Sequence, residues 1–274
     1  MNEAEEAQEP PSGAAYFGQE VRALRESLGL SQERFAERLH YQQAQVSKVE
    51  NGTVLASEAF AEAMDRVAGT PGVYVRLRNK LSKQGHPEWF IPYVELEKSA
   101  AKVEDYSNAF IMGMLQTPEY AEGTFRATHP RESDDRIKMR VEARLRRREV
   151  MDRKAPPLLW VILHEATLRT AVGGPATMRG QLEHLAAQGA TPHITLQVLP
   201  SRAGAPASSL PFILLTGEDG STVLYSEARE KGHVSDSVTA VASARTTYER
   251  LRAAALSPEE SQALIRQIAE GYAP

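Results

Sequence analysis

Three glutamines, Gln42, Gln43 and Gln45, share the short stretch "YQQAQVSKVENG" (41–52) with Ser47 and Lys48. An amide presents a donor and an acceptor side by side; an ammonium presents donors only. Those groups match base edges in the DNA major groove, where Gln pairs bidentately with adenine and Lys with guanine. A helix over about 42–50 would have only Val46 and Val49 as apolar anchors. Its outer face would then carry Gln43, Ala44, Gln45, Ser47 and Lys48. Residues of these types in this pattern point to reading bases.

Other chemistries find less support. His164-Glu165 starts like the zinc-protease pattern H-E-x-x-H, but the second histidine would fall at 168, which is Leu. His164 also follows an apolar run, where a structural histidine is the expectation. The chain has no cysteine, which excludes disulfides, thiol catalysis and Cys-based zinc sites. No phosphate loop and no G-x-S-x-G stretch occurs. The reading is therefore of a protein that is not an enzyme, with no cofactor and no metal.

The elements around the glutamines read as a compact set of short helices. Phe17, Val21, Leu24 and Leu28 recur on one helical face, and Gly29 stops that helix. Ser31 is a good N-cap for a helix over about 32–39 that buries Phe35, Ala36 and Leu39. A tight turn around His40-Tyr41 leads to the glutamine helix, with Ala36 small enough for close approach. Asn51-Gly52 ends it. Ser57 caps a fourth helix with Phe60, Met64 and Val67 inward, closed by Gly69-Thr70-Pro71.

Residues 72–110 read as mostly helical with a break at "GHPEWFIP" (85–92). A turn at Thr117-Pro118 precedes another helix. A long basic helix over about 133–151 places Ile137, Val141 and Leu145 on one stripe. After Pro156-Pro157 the pattern changes. "LLWVIL" (158–163) is a buried strand in type. Pro175 opens a helix through Met178, Leu182 and Leu185, and "HITLQVLP" (193–200) alternates as a strand does. "PFILLT" and "TVLYSE" flank "GEDG" as a hairpin. A helix is expected near 235–254. "SPEE" (257–260) is a capping box opening a final helix.

The fold class expected is an N-terminal all-α helix-turn-helix (lambda-repressor-like) domain, a mostly helical middle and a mixed α+β C-terminal domain. The division is an acidic disordered tail over 1–15, the helical domain over 16–71 and a helical linker over 72–92. A C-terminal domain over 93–274 is helical to 155 and α+β from 156.

The 274 residues are 25% charged and 42% hydrophobic, with net charge −4, values ordinary for a soluble globular protein. No apolar run approaches the length of a membrane span, and the N-terminal stretch has no signal-peptide core. A cytoplasmic location is the expectation. Charge is uneven. Residues 136–154 hold nine basic and three acidic residues, a net of +6, which leaves −10 for the rest. Two readings of that helix stay open. One is a solvated face supported by Glu142 and Arg146 at i,i+4. The other is a phosphate or partner surface formed by Arg144, Arg147 and Arg148.

The ordered set "LSQ", Ala36, "QQ" and "ENG" resembles the Xre/Cro-type helix-turn-helix repressors. That resemblance implies double-stranded DNA as partner, with an inverted-repeat operator bound by a homodimer. It implies base contacts by Gln42, Gln43 and Lys48. Phosphate contacts fall on Ser31, Gln32, Gln45, Asn51 and Thr53, the last two through the backbone after "ENG". It also implies a structural ion pair between Arg25 and Glu50. One departure is charge: residues 16–69 hold six basic residues and eight acids, which implies weak, salt-sensitive non-specific affinity.

From Pro87 to Tyr272 the chain resembles the uncharacterised antitoxin-like domain fused to Xre-type helices in regulators of high-GC Gram-positive bacteria. The motifs are "LQTPEYA" (115–121), "RLRRREVM" (144–151), "LHEATLRTAVGG" (163–174), "MRGQLEHL" (178–185), "ITLQVLP" (194–200), "PF" (211–212) and "ALSPEES" (255–261). Met112 replaces the usual proline in "FIMGMLQT". The resemblance implies a transcriptional regulator whose C-terminal domain holds a small protein encoded by a neighbouring gene. The alternative is a small-molecule sensor, with Trp160 and the loop 201–209 lining a pocket.

Overall fold

The structure is a computed structural model that describes residues 13–82, 86–228 and 231–272. The chain divides into two compact units, 1–85 and 86–274. The described residues of the first form five helices: α1 (Gly13–Ser27), α2 (Gln32–Leu39), α3 (Gln43–Glu50), α4 (Glu58–Ala68) and α5 (Val73–Ser82). Its core joins Phe17 and Val21 of α1, Phe35 and Leu39 of α2, Val46 and Val49 of α3, and Phe60 and Met64 of α4. Ser31 and Ser57 cap α2 and α4 as expected, each accepting from a backbone N–H three residues on.

Three expectations change here. Residues 1–12 of the expected tail lie outside the described residues, but Gly13–Ala15 already belong to α1. A Cβ on Gly52 would lie 2.7 Å from the Ala15 backbone, so the start of α1 is packed against the turn after α3. Leu28 is exposed because the helix ends at Ser27, one residue before the stripe is complete. The stretch 73–82 is a fifth helix of this unit, not a linker. Leu81 is in its core, and Asp65 accepts from Thr70 and from the N–H groups of Tyr74 and Val75 at the start of α5.

The second unit is built on one six-stranded sheet, ordered β3-β2-β1-β4-β5-β6. Its strands are β1 (Ala100–Ser107), β2 (Leu158–His164), β3 (Ile194–Leu199), β4 (Phe212–Gly217), β5 (Thr222–Glu227) and β6 (Gly232–Ser235). β1, β2 and β3 run parallel, and β4, β5 and β6 continue antiparallel from β1. Among its helices are α6 (Ile91–Ser99), α7 (Pro118–Thr128), α8 (Asp134–Arg146), α9 (Glu165–Arg169), α10 (Pro175–Gln188), α11 (Val238–Ala254) and α12 (Pro258–Glu270). One sheet face carries Val103, Val161, Leu163 and Leu196 against α6, α7, α10 and α12. The other carries Tyr106, Ile162 and Leu214 against Tyr248 and Leu251 of α11. The expected hairpin is β4–β5, and the expected capping box opens α12 with both reciprocal bonds formed.

The middle of the chain was expected to be helical, yet β1 lies within it and is a central strand. Its sequence, "AAKVEDYS", hides the strand because Glu104 and Asp105 are buried. Glu104 is paired with Lys102 at 2.7 Å and with Arg245 of α11 at 3.1 Å. Asp105 accepts from Ser107 Oγ at 2.7 Å, and burial pushes its carboxyl up to about 7.

The arginine surface is also corrected. Arg147, in the 3-10 turn Arg147–Asp152, has only 8% of its side chain exposed and forms two 2.7 Å bonds to buried Glu97. Arg144 donates to Gln116 at 2.9 Å and stacks 3.9 Å over the Phe125 ring. Both face inward because carboxylate, amide and aromatic partners from earlier segments meet them there. Arg148 is half-buried. Glu142 and Arg146 do form the expected i,i+4 pair, at 3.7 Å.

Candidate nucleic-acid interface

The turn between α2 and α3 sets the interface. His40 adopts a left-handed conformation, φ 62°, and Tyr41 N–H returns to the Ala36 carbonyl at 2.9 Å. A non-glycine residue there costs on the order of 1 kcal/mol. Ala36 is buried at this crossing and Tyr41 packs on the Phe60 ring at 4.9 Å. Gly18 admits the other side of α3, since a Cβ there would lie 2.4 Å from the Val49 carbonyl oxygen.

The outer face of α3 is largely polar, and among the described residues only its Ser47 side chain is hydrogen-bonded, accepting from Asn51 Nδ2 at 3.4 Å. Gln42, Gln43, Ala44 and Lys48 are exposed; Gln45 and Ser47 are half-buried. Among the described residues, the side chains of Gln42, Gln43 and Lys48 take part in no hydrogen bond or ion pair. Gln42 occupies the N-cap in an extended conformation, yet its side chain caps nothing. A Ser, Thr, Asn or Asp there would satisfy an orphan N–H and add about 1 kcal/mol. Val46 and Val49 point inward as expected.

Behind this face lies Glu50, whose side chain has no exposed surface. Arg25 donates to it twice, at 2.6 and 3.2 Å, and to the Leu30 carbonyl at 3.1 Å. The bond to Glu50 raises the Arg25 pKa further. Gln32 donates from Nε2 to the same carboxylate at 2.8 Å. Sequence reasoning placed Gln32 on a phosphate without this partner; the amide keeps one N–H and its oxygen for another contact. Arg22 was missed. It reaches Asn51 Oδ1 at 3.1 Å and lies 3.7 Å from Glu50. Its spacing of three from Arg25, one helical face, was the available signal.

The turn after α3 differs from expectation in one respect. The N–H groups of Asn51, Gly52 and Thr53 return to the carbonyls of Ser47, Val49 and Lys48, each at 3.0 Å. These backbone donors are spent on ending the helix, and Gly52 takes φ 66° to do so. Only the side chains of Asn51 and Thr53, both exposed, remain to meet a phosphate.

The other chemically suggestive residues have structural partners. His164 Nδ1 accepts from the Ala166 N–H at 3.1 Å and caps α9, while Leu168 is fully buried. Glu165 accepts from Ser201 N–H at 2.8 Å and pairs with Arg169. Trp160 donates to Gln197 at 2.8 Å, and Arg252 covers its ring at 4.7 Å.

Comparison with known families finds one match within each of the two compact units. A helix-turn-helix domain matches residues 17–77. A domain of unknown function, DUF5753, matches residues 90–267, well over half of the chain. The chain belongs to that family. No curated protein and no solved structure matches it. The helix-turn-helix domain makes this DUF5753 chain a DNA-binding regulator in type. No helix among the described residues is long and apolar enough to cross a membrane.

Proposed function

We propose that the chain is a sequence-specific transcriptional regulator of the Xre type that acts in the cytoplasm as a homodimer. Two copies of α3 enter successive major grooves of an inverted-repeat operator, with half-sites about one helical turn apart. Gln42, Gln43 and Lys48 read bases. Ser31, Gln32 and Gln45, with the side chains of Asn51 and Thr53, fix the register on phosphates. The observation that carries this reading is the row of unengaged amide and ammonium groups on α3, with a glutamine at an N-cap it does not cap. Folding gains nothing from that choice; base recognition does.

The C-terminal domain binds a small protein encoded by a neighbouring gene, in an antitoxin-like arrangement. That part rests on the likeness of its motifs to such regulators. The sensor alternative has less support, because Trp160 is held by Gln197 and Arg252.

The test is a genomic-fragment pull-down with the purified protein, with and without the neighbouring gene product. Enrichment of a short inverted repeat, altered by that product, is the expected result. No enriched sequence in either condition would contradict the proposal.

A further inference from the structure

Phosphate binding at the end of α3 faces an electrostatic difficulty. The C-terminal end of a helix carries negative partial charge, and the N–H groups of Asn51, Gly52 and Thr53 are all bonded back into the helix. An anion there needs a cation from elsewhere. Arg25 is committed to the buried Glu50 and to the Leu30 carbonyl. Lys48 lies on the base-reading face of α3. Arg22 of α1 is the basic side chain beside the turn: its Nη2 donates to Asn51 Oδ1 at 3.1 Å, and 47% of the side chain is exposed.

We propose that Arg22 is a further phosphate-binding residue, which clamps the DNA backbone together with the Asn51 amide. The arrangement is pre-oriented. Glu50, 3.7 Å from Arg22 Nε, draws the guanidinium toward the turn without enclosing it. Asn51 accepts from Arg22 through Oδ1 and donates from Nδ2 to Ser47 Oγ at 3.4 Å, so the orientation of its amide is set. A guanidinium has five N–H donors in a fixed fork. Among the described residues, Arg22 Nη1 has no partner, which leaves donors for a phosphodiester oxygen. The same contact offsets part of the acidic balance of residues 16–69. This inference rests on α3 being the DNA-reading helix.

The test measures the salt dependence of binding for the full chain on the tightest duplex selected from a randomised pool, and on a scrambled duplex. With Arg22→Gln, the slope of log affinity against log salt should become shallower by about 0.9 per protomer. Affinity should fall by about tenfold on both duplexes alike. Arg22→Lys should restore the slope. An unchanged slope in Arg22→Gln, with wild type binding normally, overturns the role of Arg22 and leaves the DNA-reading helix intact. A lost slope that Lys does not restore assigns the effect to Asn51 orientation and also overturns it. Wild type that binds no duplex overturns both readings.

Discussion

Arg25 and Glu50 tie the first helix to the third through two hydrogen bonds, at 2.6 and 3.2 Å, to a carboxylate with no exposed side-chain surface. Removing one member of such a pair leaves a buried charge without its partner. Arg25→Ala should lower the stability of the helical unit by about 3 kcal/mol, read as a lower urea midpoint with unchanged m-value. Replacing both members by apolar residues of similar size should recover most of the loss. Equal losses in the single and double variants would show that the pair is not the source.

Gln42 at the α3 N-cap gives the clearest opposition between folding and recognition. Gln42→Ser should supply the missing cap and stabilise the unit by about 0.5–1 kcal/mol. It should also weaken operator binding, because the amide is gone. Thermal unfolding and fluorescence anisotropy on the same samples check both. A variant that gains stability and keeps full affinity would remove Gln42 from the base contacts.

Asp105 sets a pH dependence in the sheet unit. Burial pushes its carboxyl up to about 7, against the hydrogen bond from Ser107 and the nearby charge of Arg147, which pull the other way. The native state therefore binds a proton that the unfolded chain releases near pH 4. Stability should decline as pH rises from about 4 to about 7, then level off. The full decline is on the order of 4 kcal/mol. Asp105→Asn should abolish the decline and leave the variant more stable than wild type at pH 8. Urea titrations at a series of pH values measure it; parallel curves for the two proteins would contradict the assignment.

Gly113 precedes Met114 in a 3-10 turn, and a Cβ there would lie 2.8 Å from Arg147 Nη1. Gly113→Ala should displace the guanidinium from Glu97 and cost about 1–3 kcal/mol. Combining it with Arg147→Met should show strong non-additivity, because the two changes act on one contact. Additive losses would separate them.

Local signals in the chain read true, and distant ones did not. The caps at Ser31, Ser57 and Ser257 need only neighbours three residues away, so their residue types disclosed them. The β4–β5 hairpin was legible for the same reason. β1 was not, because its adjacent acids Glu104 and Asp105 are buried, and Glu104 is satisfied by Lys102 together with Arg245, 141 positions later in the chain. A charge pattern that reads as exposed is neutralised by a partner that periodicity cannot show. Arg147 follows the same logic: its Glu97 lies 50 positions upstream. At the interface, residue type and helical phase selected Gln43, Ala44, Gln45, Ser47 and Lys48 as the outer face; Gln43, Ala44 and Lys48 are exposed, while Gln45 and Ser47 are half-buried. The bond from Gln32 to Glu50 and the spent N–H groups after α3 depend on how the helices cross. Gly18, on which that crossing depends, gave no signal beyond its identity.

The central claim is that α3 reads bases through its amides, and Gln43 tests it most directly. Operator affinity of Gln43→Ala should be measured by anisotropy against the selected duplex and against single-base variants of each half-site. The expected result is a loss of about 1–3 kcal/mol, with discrimination relaxed at one base position per half-site and retained elsewhere. Unchanged affinity and unchanged discrimination at every position would contradict the assignment of α3 as the reading helix.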